Sequence, residues 1–454
     1  MLVNEFSLAP RLAPKAAITP TDQSSTSNVF NVMSFGAIGD GVTDDTQGFK
    51  MAWDSACDSD EPATLLVPKH YTFLIQSTIF TGSCGYGIVF QIEGTIMAPD
   101  GPRVWPKGMS MRQWLVFYRV NGMSLQGDGV IDGRGAKWWD LPCKPHKILE
   151  IHLLSILGNE KIRHRSARDP MEKPCPVLVI APFFRIFKTQ AIRFYMSTNV
   201  TVIGLKVNNS SQFNFRFDGC HGVYVDSLTI KAPALSPNTD GIHIENTDDV
   251  KIYNTLISTG DDCISIGAGS YNIDIKNITC GPSHGISIGS LGMKNTRACV
   301  SNITIRDSVI KHSDNGVRIK TWQGGLGSVS KVRFINIQMD TVRNPIMIDQ
   351  YYCQTKGKCR NRTSAVRIHD ISYQNITGTY DYRSPPMHLG CSDSVPCTNL
   401  TFSDVQLMPS QGRYILNPFC WNAYGDLQTL TIPPLFCLRD GNPESFRPTD
   451  VNQC

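Results

Sequence analysis

Several features that identify common protein classes are missing from this sequence. Only 18% of the 454 residues are charged, and the formal net charge of +4 is too small to argue for a nucleic-acid partner. No apolar run is long enough to cross a membrane. No Cys-x-x-Cys pair occurs, and histidines do not alternate with the cysteines, so a structural zinc site is the weaker explanation of the cysteines.

Cysteine itself is abundant, with 15 residues. The odd count leaves at least one thiol unpaired, but close spacings predict short disulfide loops formed in an oxidising compartment. These pairs are Cys353 with Cys359, Cys391 with Cys397, and Cys420 with Cys437. Asn-x-Ser/Thr sequons also agree with a secreted glycoprotein. They begin at Asn199, Asn208, Asn209, Asn277, Asn302, Asn361, Asn375 and Asn399.

The first 28 residues contain several prolines and a Ser/Thr run, and they lack an apolar stretch of the length that a secretory signal peptide needs. We predict that residues 1–28 form a disordered tail. Because the cysteines and sequons favour export, we expect either an incomplete N-terminus or export by a signal not visible here. The expected location is extracellular, at the cell wall.

Most of the chain repeats one strand pattern. Segments such as NVTVIGLKV from Asn199 and NITIRDSVI from Asn302 alternate apolar residues, pass a polar corner and enter a second apolar stretch. The starts recur roughly every 23 to 34 residues, a spacing typical of solenoids. A second strand set lies between these repeats and includes DGIHIEN, DDCISIG, HGISIGS and NGVRIKT. Stacked coils would bury the inward Ile and Val in one core, which predicts an all-β parallel β-helix rather than a globular sandwich.

The beginning of the repeat region predicts a cap. The segment that starts at Phe30 reads as a strand, a Gly-rich turn and an amphipathic helix, with Phe49, Trp53 and Cys57 on one helical face. Such a helix would shield the apolar side chains and unpaired backbone at the open end of the coil stack.

One segment, from about 147 to 190, lacks the coil alternation. It contains two apolar runs separated by a basic cluster. We interpret it as an insertion between two early coils, either an unusual loop or translated non-coding sequence. The predicted organisation is therefore a tail followed by one β-helix domain over 29–454, which this insertion interrupts.

Unusual polar residues occur at comparable points of successive coils, just before or within the second strand set. In coil order they are Asp240, then Asp261 and Asp262, then His284, then Arg318 and Lys320. Since stacked strands lie about 4.8 Å apart, these side chains would line one stripe. Three carboxylates so close together suit glycoside hydrolysis, and the two cations suit a substrate with one negative charge per sugar.

The chemistry requires one carboxyl to protonate the leaving oxygen and another to activate a water molecule. Crowded like charges raise the pKa of one carboxyl for the first task. In an inverting enzyme the two groups are about 6.5–9.5 Å apart, which leaves room for the water. A lone Asp or His at a coil corner is commonly a turn residue. The adjacent Asp261–Asp262 pair, followed by His284 and the cations in consecutive coils, favours a catalytic stripe.

These residues resemble the signatures of plant-type polygalacturonases, glycoside hydrolase family 28, and they occur in the same order. The matching motifs are NTD at 238–240, GDD at 260–262, SHG at 283–285 and RIK at 318–320. The resemblance extends to FGAIGDGVTDDT and GDGVIDGRGAKWW, and it covers nearly the whole chain except the first thirty residues and the insertion.

The resemblance implies a right-handed, single-stranded β-helix that hydrolyses α-1,4-galacturonosidic bonds of pectic polygalacturonate with inversion, as a monomer and without a metal or organic cofactor. It implies Asp261 as the general acid, with Asp240 and Asp262 holding and deprotonating the water. His284 would tune the acid. The implied substrate-binding residues are Asn238, Arg318, Lys320 and Tyr352, although the neighbouring Tyr351 is an alternative for the last position.

The stretch NSSQFNF departs from the NSPQFHF pattern of plant members at Ser211 and Asn214. We expect both positions to face the cleft and to change sugar affinity without changing the chemistry.

Three rival functions remain open. They are hydrolysis of a related pectic backbone such as rhamnogalacturonan, a calcium-dependent pectate lyase, and an inactive paralogue that only binds pectin. The intact aspartates, His284 and basic pair favour a galacturonan hydrolase over all three.

Overall fold

The computed structural model describes residues 28–105, 112–139, 189–353, 359–412, 414–443 and 454. Residues 1–27 of the predicted tail and 147–188 of the predicted insertion lie outside the described residues. Within the described ranges, no helix has the length and apolar character needed to span a membrane.

Strands dominate the described chain. The α-helices are α1 (Thr46–Cys57) and α2 (Ala136–Trp139), and short 3-10 helices cover Val32–Phe35 and Met293–Asn295. The strands are β1 (Asn28–Asn31), β2 (Asp40–Asp44), β3 (Ala63–Val67), β4 (Thr72–Leu74), β5 (Thr78–Thr81), β6 (Ile88–Ile92), β7 (Thr95–Met97), β8 (Gln113–Tyr118), β9 (Met123–Gln126), β10 (Val130–Asp132), β11 (Gln190–Tyr195), β12 (Thr198–Ile203), β13 (Lys206–Asn208), β14 (Phe215–Asp218), β15 (His221–Asp226), β16 (Thr229–Lys231), β17 (Ile242–Glu245), β18 (Asp248–Tyr253), β19 (Leu256–Ser258), β20 (Ile264–Ile266), β21 (Ser270–Lys276), β22 (Thr279–Cys280), β23 (Ile286–Leu291), β24 (Arg297–Lys311), β25 (Asn315–Trp322), β26 (Leu326–Val342), β27 (Asn344–Tyr352), β28 (Arg367–Tyr380), β29 (Met387–Gly390), β30 (Cys397–Pro409), β31 (Phe419–Trp421) and β32 (Ala423–Leu427).

These strands form two parallel sheets that run along the whole molecule. Sheet 1 has 21 strands. Its short strands lie in two parallel rows, and long strands such as β24 and β26, which pair along their length, belong to both rows. Sheet 2 has 11 strands in the order β5-β8-β11-β14-β17-β20-β23-β25-β27-β29-β31. Each strand of sheet 2 pairs with the strand one coil away, and parallel crossovers of this kind are right-handed. The predicted right-handed parallel β-helix is confirmed.

Inward side chains stack in columns between the coils. In sheet 2, Ile242, Ile264 and Ile286 are direct register partners and are fully buried. Aromatic rings form a similar inward column near the N-terminal end, where the Phe117 ring stacks on the Phe194 ring at a centroid distance of 4.9 Å. A single coil cannot bury its own inward side chains, but the neighbouring coils cover them. Burial of these apolar columns is therefore the main contribution to the stability of the fold.

Helix α1 covers the N-terminal coils as predicted. Phe49 and Trp53 are buried, and the Trp53 ring lies 5.1 Å from that of Phe80. Cys57 is fixed by a disulfide to Cys84. The helix therefore closes the apolar end of the solenoid.

Several sequon asparagines occupy coil corners in the left-handed backbone region, which Asn tolerates better than most residues. Their side-chain amides donate to the neighbouring coil, as Asn302 does to Asn272 Oδ1 at 2.7 Å and Asn375 does to Asn336 Oδ1 at 2.9 Å. This ladder is a structural reason for the recurrence of asparagine at these corners, independent of glycosylation.

The three predicted disulfides are confirmed, namely Cys353–Cys359, Cys391–Cys397 and Cys420–Cys437. Three more bonds join Cys57 to Cys84, Cys263 to Cys280, and Cys299 to Cys454. Among the described cysteines, Cys220 is the free one, and it is buried.

Candidate active site

The register of sheet 2 brings the predicted catalytic residues together. Ile242 of β17, Ile264 of β20 and Ile286 of β23 are successive partners. Asp240, Asp262 and His284 each stand two residues before one of these isoleucines. They therefore occupy the same position in three consecutive coils, about 4.8 Å apart.

Glycines allow the turns that carry these residues to approach the neighbouring coil. A Cβ atom at Gly260 would lie 2.1 Å from the carbonyl oxygen of Ser236 in the preceding coil. Gly285 has φ +87°, and a Cβ there would lie 2.1 Å from the Asn315 carbonyl oxygen. Glycine is thus required on either side of the site for steric and conformational reasons.

Asp262 is a buried carboxylate between two cations. Its Oδ1 accepts from Arg318 Nη2 at 2.8 Å and from the Ser287 hydroxyl at 2.8 Å, and its Oδ2 accepts from Lys320 Nζ at 2.7 Å. Its exposed fraction is 1%. Such a charge is tolerated in the interior only because the cations and the hydroxyl replace its lost hydration.

Asp261 interacts with a different group, the imidazole of His284. His284 Nδ1 lies 3.1 Å from Asp261 Oδ1, and its Nε2 lies 3.4 Å from Asp314 Oδ2. Asn238 Nδ2 donates to Asp261 Oδ2 at 3.3 Å, and the Asp262 backbone N–H donates to Asp261 Oδ1 at 2.9 Å. The imidazole therefore lies between two carboxylates.

The His284–Asp261 pair holds a proton at neutral pH. Burial lowers the pKa of His284, but the hydrogen bond and charge of Asp261, with the charges of Asp262 and Asp314, outweigh it and raise this pKa to about 9. Burial raises the pKa of Asp261, but the His284 hydrogen bond and charge and the Lys320 charge outweigh that effect and lower it. At rest, the shared proton lies on the imidazole.

Asp240 has the opposite electrostatic environment. Burial, followed by the charges of Asp261 and Asp262, raises its pKa well above the usual 3.8, although the Ser265 hydroxyl donates to its Oδ2 at 2.7 Å. The expected effect of crowded carboxylates is therefore seen at Asp240, and not at Asp261, which the resemblance designates as the acid.

The predicted orientation of Ser211 and Asn214 is wrong. Both are buried, with exposed fractions of 3% and 0%. Asn214 Nδ2 donates to the backbone oxygen of Asp240 at 3.0 Å, and the Ser211 hydroxyl donates to the backbone oxygen of Thr189 at 2.5 Å. Asn214 stands just before β14, and its amide donates to backbone oxygens of the neighbouring coil instead of facing the cleft.

Tyr352 and Tyr351 lie in different surroundings. Lys320 Nζ lies 5.6 Å from the centroid of the Tyr352 ring, which also makes an edge contact with Trp322. The Tyr351 hydroxyl accepts from the Asp393 backbone N–H at 3.0 Å, farther along sheet 2. Tyr352 is thus the tyrosine next to the basic pair.

Sequence reasoning did not identify Ser265, Ser287 and Asp314. The two serines are register partners, and each donates to a carboxylate of the preceding coil. Their signal was present in the sequence, since a serine follows both Asp262 and His284 by three residues. Asp314 has no comparable signal, because it lies 30 residues from His284.

Asp261, Asp262 and His284 present potential metal ligand atoms within 4.8 Å of one another. They suit a metal poorly. The Asp262 oxygens are already ion-paired with Arg318 and Lys320, and a divalent ion would have to lie close to both cations.

Comparisons with known proteins agree with this geometry. The sequence profile described as "Glycosyl hydrolases family 28" matches residues 57–158 and 187–418. A probable polygalacturonase of Arabidopsis thaliana is 41% identical over 412 residues, which is 91% of this chain and 84% of that protein. Polygalacturonase-2 of Solanum lycopersicum is 38% identical over 385 residues, covering 85% of this chain and 76% of that protein.

The fold also has solved counterparts. The exopolygalacturonase of Thermotoga maritima superposes with a TM-score of 0.66 at 20% identity, covering 84% of this chain and 87% of that one. At this identity the similarity concerns the fold alone. The profile match and the curated relatives together show the family: this chain belongs to glycosyl hydrolases family 28.

Proposed function

We propose that the cleft on sheet 2 hydrolyses α-1,4-galacturonosidic bonds of pectic polygalacturonan with inversion at the anomeric carbon. The observation that carries this proposal is the position of Arg318 and Lys320 one coil beyond the carboxylate and imidazole stripe. A uronate substrate needs both cations and acid–base carboxylates in the same cleft.

In the proposed reaction, Asp261 is the general acid. The Asp261–His284 pair carries one proton, and the leaving glycosidic oxygen receives it from Asp261 as the bond to the anomeric carbon breaks. Before this transfer, His284 Nδ1 passes its proton to Asp261 Oδ1 across the 3.1 Å contact, so that the imidazole is neutral once the leaving oxygen is protonated. The proton that Asp240 takes from the water leaves to solvent, and the Asp261–His284 pair takes up a proton from solvent before the next turnover. Asn238 keeps the other Asp261 oxygen oriented at 3.3 Å.

Asp240 and Asp262 hold the attacking water, and Asp240 accepts its proton as the water oxygen bonds to the anomeric carbon. A raised pKa makes Asp240 the stronger base once it has lost its own proton. Arg318 and Lys320 bind the sugar carboxylate at the cleavage point, and Tyr352 shapes the wall beside Lys320.

A second assignment exchanges the two roles. It is favoured by the raised pKa of Asp240, because a general acid must hold its proton. An activated aryl galacturonide distinguishes the two, because a good leaving group needs little protonation. Asp261→Asn should retain activity on this substrate if Asp261 is the acid, whereas Asp240→Asn should lose it. The reverse result supports Asp240 as the acid.

The proposed setting is the extracellular cell wall, with a monomer acting on polygalacturonate. The six disulfides of the described residues support an oxidising compartment. The testing experiment measures reducing-end release from de-esterified polygalacturonate by the purified full chain. Ultraviolet absorbance of an unsaturated product is followed in parallel, and NMR gives the anomer first formed.

Reducing ends without an unsaturated product, and with an inverted anomer, are the expected result. Unsaturated product would overturn hydrolysis in favour of a lyase. No product from a folded chain that still binds polygalacturonate would overturn the enzymatic function.

A further inference from the structure

The outward columns of sheet 2 continue past the proposed cleavage point. In register, Arg318 is followed by Met347, His388 and Phe419, and Lys320 is followed by Asp349, Gly390 and Trp421. His388 and Gly390 lie two coils beyond the basic pair, and Phe419 and Trp421 lie three coils beyond it. At about 4.8 Å a coil, these residues are roughly 10–14 Å along the same face.

An open cavity of about 380 Å³ lies on this face. Its volume is within the range of about 300–1,000 Å³ common for small-ligand sites. It is lined by Asp349, Tyr351, His388, Asp393, Phe419 and Trp421. Gly390 contributes no side chain, which leaves the floor between these residues open.

The aromatic rings of the cavity are exposed but fixed. Trp421 is 51% exposed, and its indole N–H donates to Asp393 Oδ1 at 2.6 Å. Phe419 is 42% exposed and stacks on the His388 ring at 4.7 Å. Rigid aromatic faces with a polar rim suit a pyranose, which has an apolar C–H face and a hydroxyl edge.

The charge of this cavity differs from that of the rest of the cleft. The two formally charged groups among its described lining residues are the carboxylates of Asp349 and Asp393. On the other side of the catalytic stripe, the same outward column carries Arg193 and Arg216. Arg193 and Arg216 are ion-paired with Asp218 and Glu245. A galacturonate anion would therefore meet guanidinium groups beside carboxylates there, and carboxylates without a lysine or arginine among the described lining residues here. A sugar without a charge can instead donate its hydroxyls to Asp349.

We propose that this cavity is a subsite for an uncharged pyranose of the substrate chain, foremost a methyl-esterified galacturonosyl unit. The proposal rests on the proposed galacturonan hydrolysis and gives it a preference for partly esterified pectin. The ester removes the charge that would oppose Asp349, and the Trp421 face packs against the ring.

The test uses one partly esterified pectin before and after saponification, so that the two substrates differ in ester content alone. For the full chain, kcat/KM is measured on both, and the ratio of the esterified to the saponified value is compared between variants. Trp421→Ala should lower the ratio about tenfold, and Trp421→Phe should restore most of it. Asp349→Asn should also lower the ratio, by raising activity on the saponified substrate.

Tyr271→Ala is the matched control, because Tyr271 is an exposed aromatic residue on β21 of sheet 1, away from the cleft. The ratio of kcat/KM on the esterified pectin to kcat/KM on the saponified pectin should be the same for Tyr271→Ala as for the wild type. Unchanged ratios in the Trp421 and Asp349 variants, together with unchanged competition by rhamnogalacturonan oligosaccharides and with wild-type activity present, would overturn the subsite alone. No activity of the wild type on either substrate would instead overturn the proposed function.

The uncharged pyranose could be a methyl-esterified galacturonosyl unit or a neutral deoxy sugar of the backbone. Rhamnogalacturonan oligosaccharides, added as competitors, distinguish these two occupants. If Trp421→Ala abolishes their competition and leaves the ester ratio unchanged, the occupant is a neutral deoxy sugar of the backbone. If it changes the ester ratio alone, the occupant is the methyl-esterified unit.

Discussion

The ammonium of Lys320 lies 2.7 Å from Asp262 Oδ2, although 58 residues separate the two in sequence. The same carboxylate also accepts from Arg318, so the two cations proposed to bind substrate share at rest one carboxylate that is proposed to hold water. A uronate that enters the site competes with Asp262 for both cations. Substrate binding and the freeing of Asp262 are therefore coupled.

This coupling predicts that Lys320→Ala affects more than binding. Loss of the ammonium should raise KM for polygalacturonate, because one of two cations is missing. It should also lower kcat at least about tenfold, since buried Asp262 loses a partner and changes position. Steady-state kinetics on the saponified polymer measure both. Lys251→Ala, an exposed lysine of sheet 1, is the control. A change in KM alone would contradict the coupling.

Asp261→Asn should remove the proposed proton donor and leave the fold intact. Turnover on polygalacturonate should fall about 10²–10⁴-fold, the usual contribution of a general acid. Reducing-end release measures the loss, and the unfolding temperature checks the fold. Asp426→Asn, at an exposed position of β32, is the matched control. Wild-type turnover in Asp261→Asn would exclude Asp261 as the acid.

The stripe itself could be predicted from sequence because β-helix geometry converts sequence period into spatial neighbourhood. Asp240, Asp262 and His284 precede identical Ile-x-Ile-type strands, so their stacking follows once the strands are in register. The same logic predicted the burial of Phe49 and Trp53 on one face of α1.

The distribution of charge could not be predicted in the same way. Asp261 and Asp262 are adjacent, yet one contacts His284 and the other contacts Arg318 and Lys320. Both aspartates lie in the turn before β20, where no fixed periodicity gives the direction of a side chain, and their partners lie 23 to 58 residues away in sequence. Asn214 was misplaced for a related reason, because a family motif gives residue identity but not side-chain direction.

The contact of His284 with Asp314 predicts the alkaline limit of activity. The pKa of His284 is raised to about 9 from its ordinary 6.5, so the charged imidazole stabilises the fold fully below about pH 6.5, and this contribution is lost as the pH rises through about 9. In the proposed mechanism, activity needs the same proton. Asp314→Asn removes one of the charges that raise this pKa, and the alkaline limb of kcat/KM should therefore move to lower pH.

The measurement is kcat/KM for polygalacturonate across the alkaline range, for wild type and Asp314→Asn. Asp307→Asn, a partly exposed aspartate of sheet 1, controls for the change in net charge. An alkaline limb at the same pH in Asp314→Asn and wild type would mean that Asp314 does not act on His284. The acid limb should instead follow Asp240, whose pKa is raised, and should not respond to Asp314.

The turn before Asp261 should tolerate no side chain. In Gly260→Ala the new Cβ would lie 2.1 Å from the Ser236 carbonyl oxygen and 2.5 Å from its backbone nitrogen, both parts of a rigid neighbouring coil. The coil must move away, which should cost about 1–3 kcal/mol of unfolding free energy and displace Asp261 and Asp262 together. Gly85→Ala is the control, because its nearest neighbouring atom would be 3.9 Å away. Chemical unfolding and turnover are measured on the same samples. Reduced turnover at unchanged stability would mean that the turn acts on the carboxylates without straining the coil, and unchanged values of both would show that the coil spacing adapts to the extra methyl group.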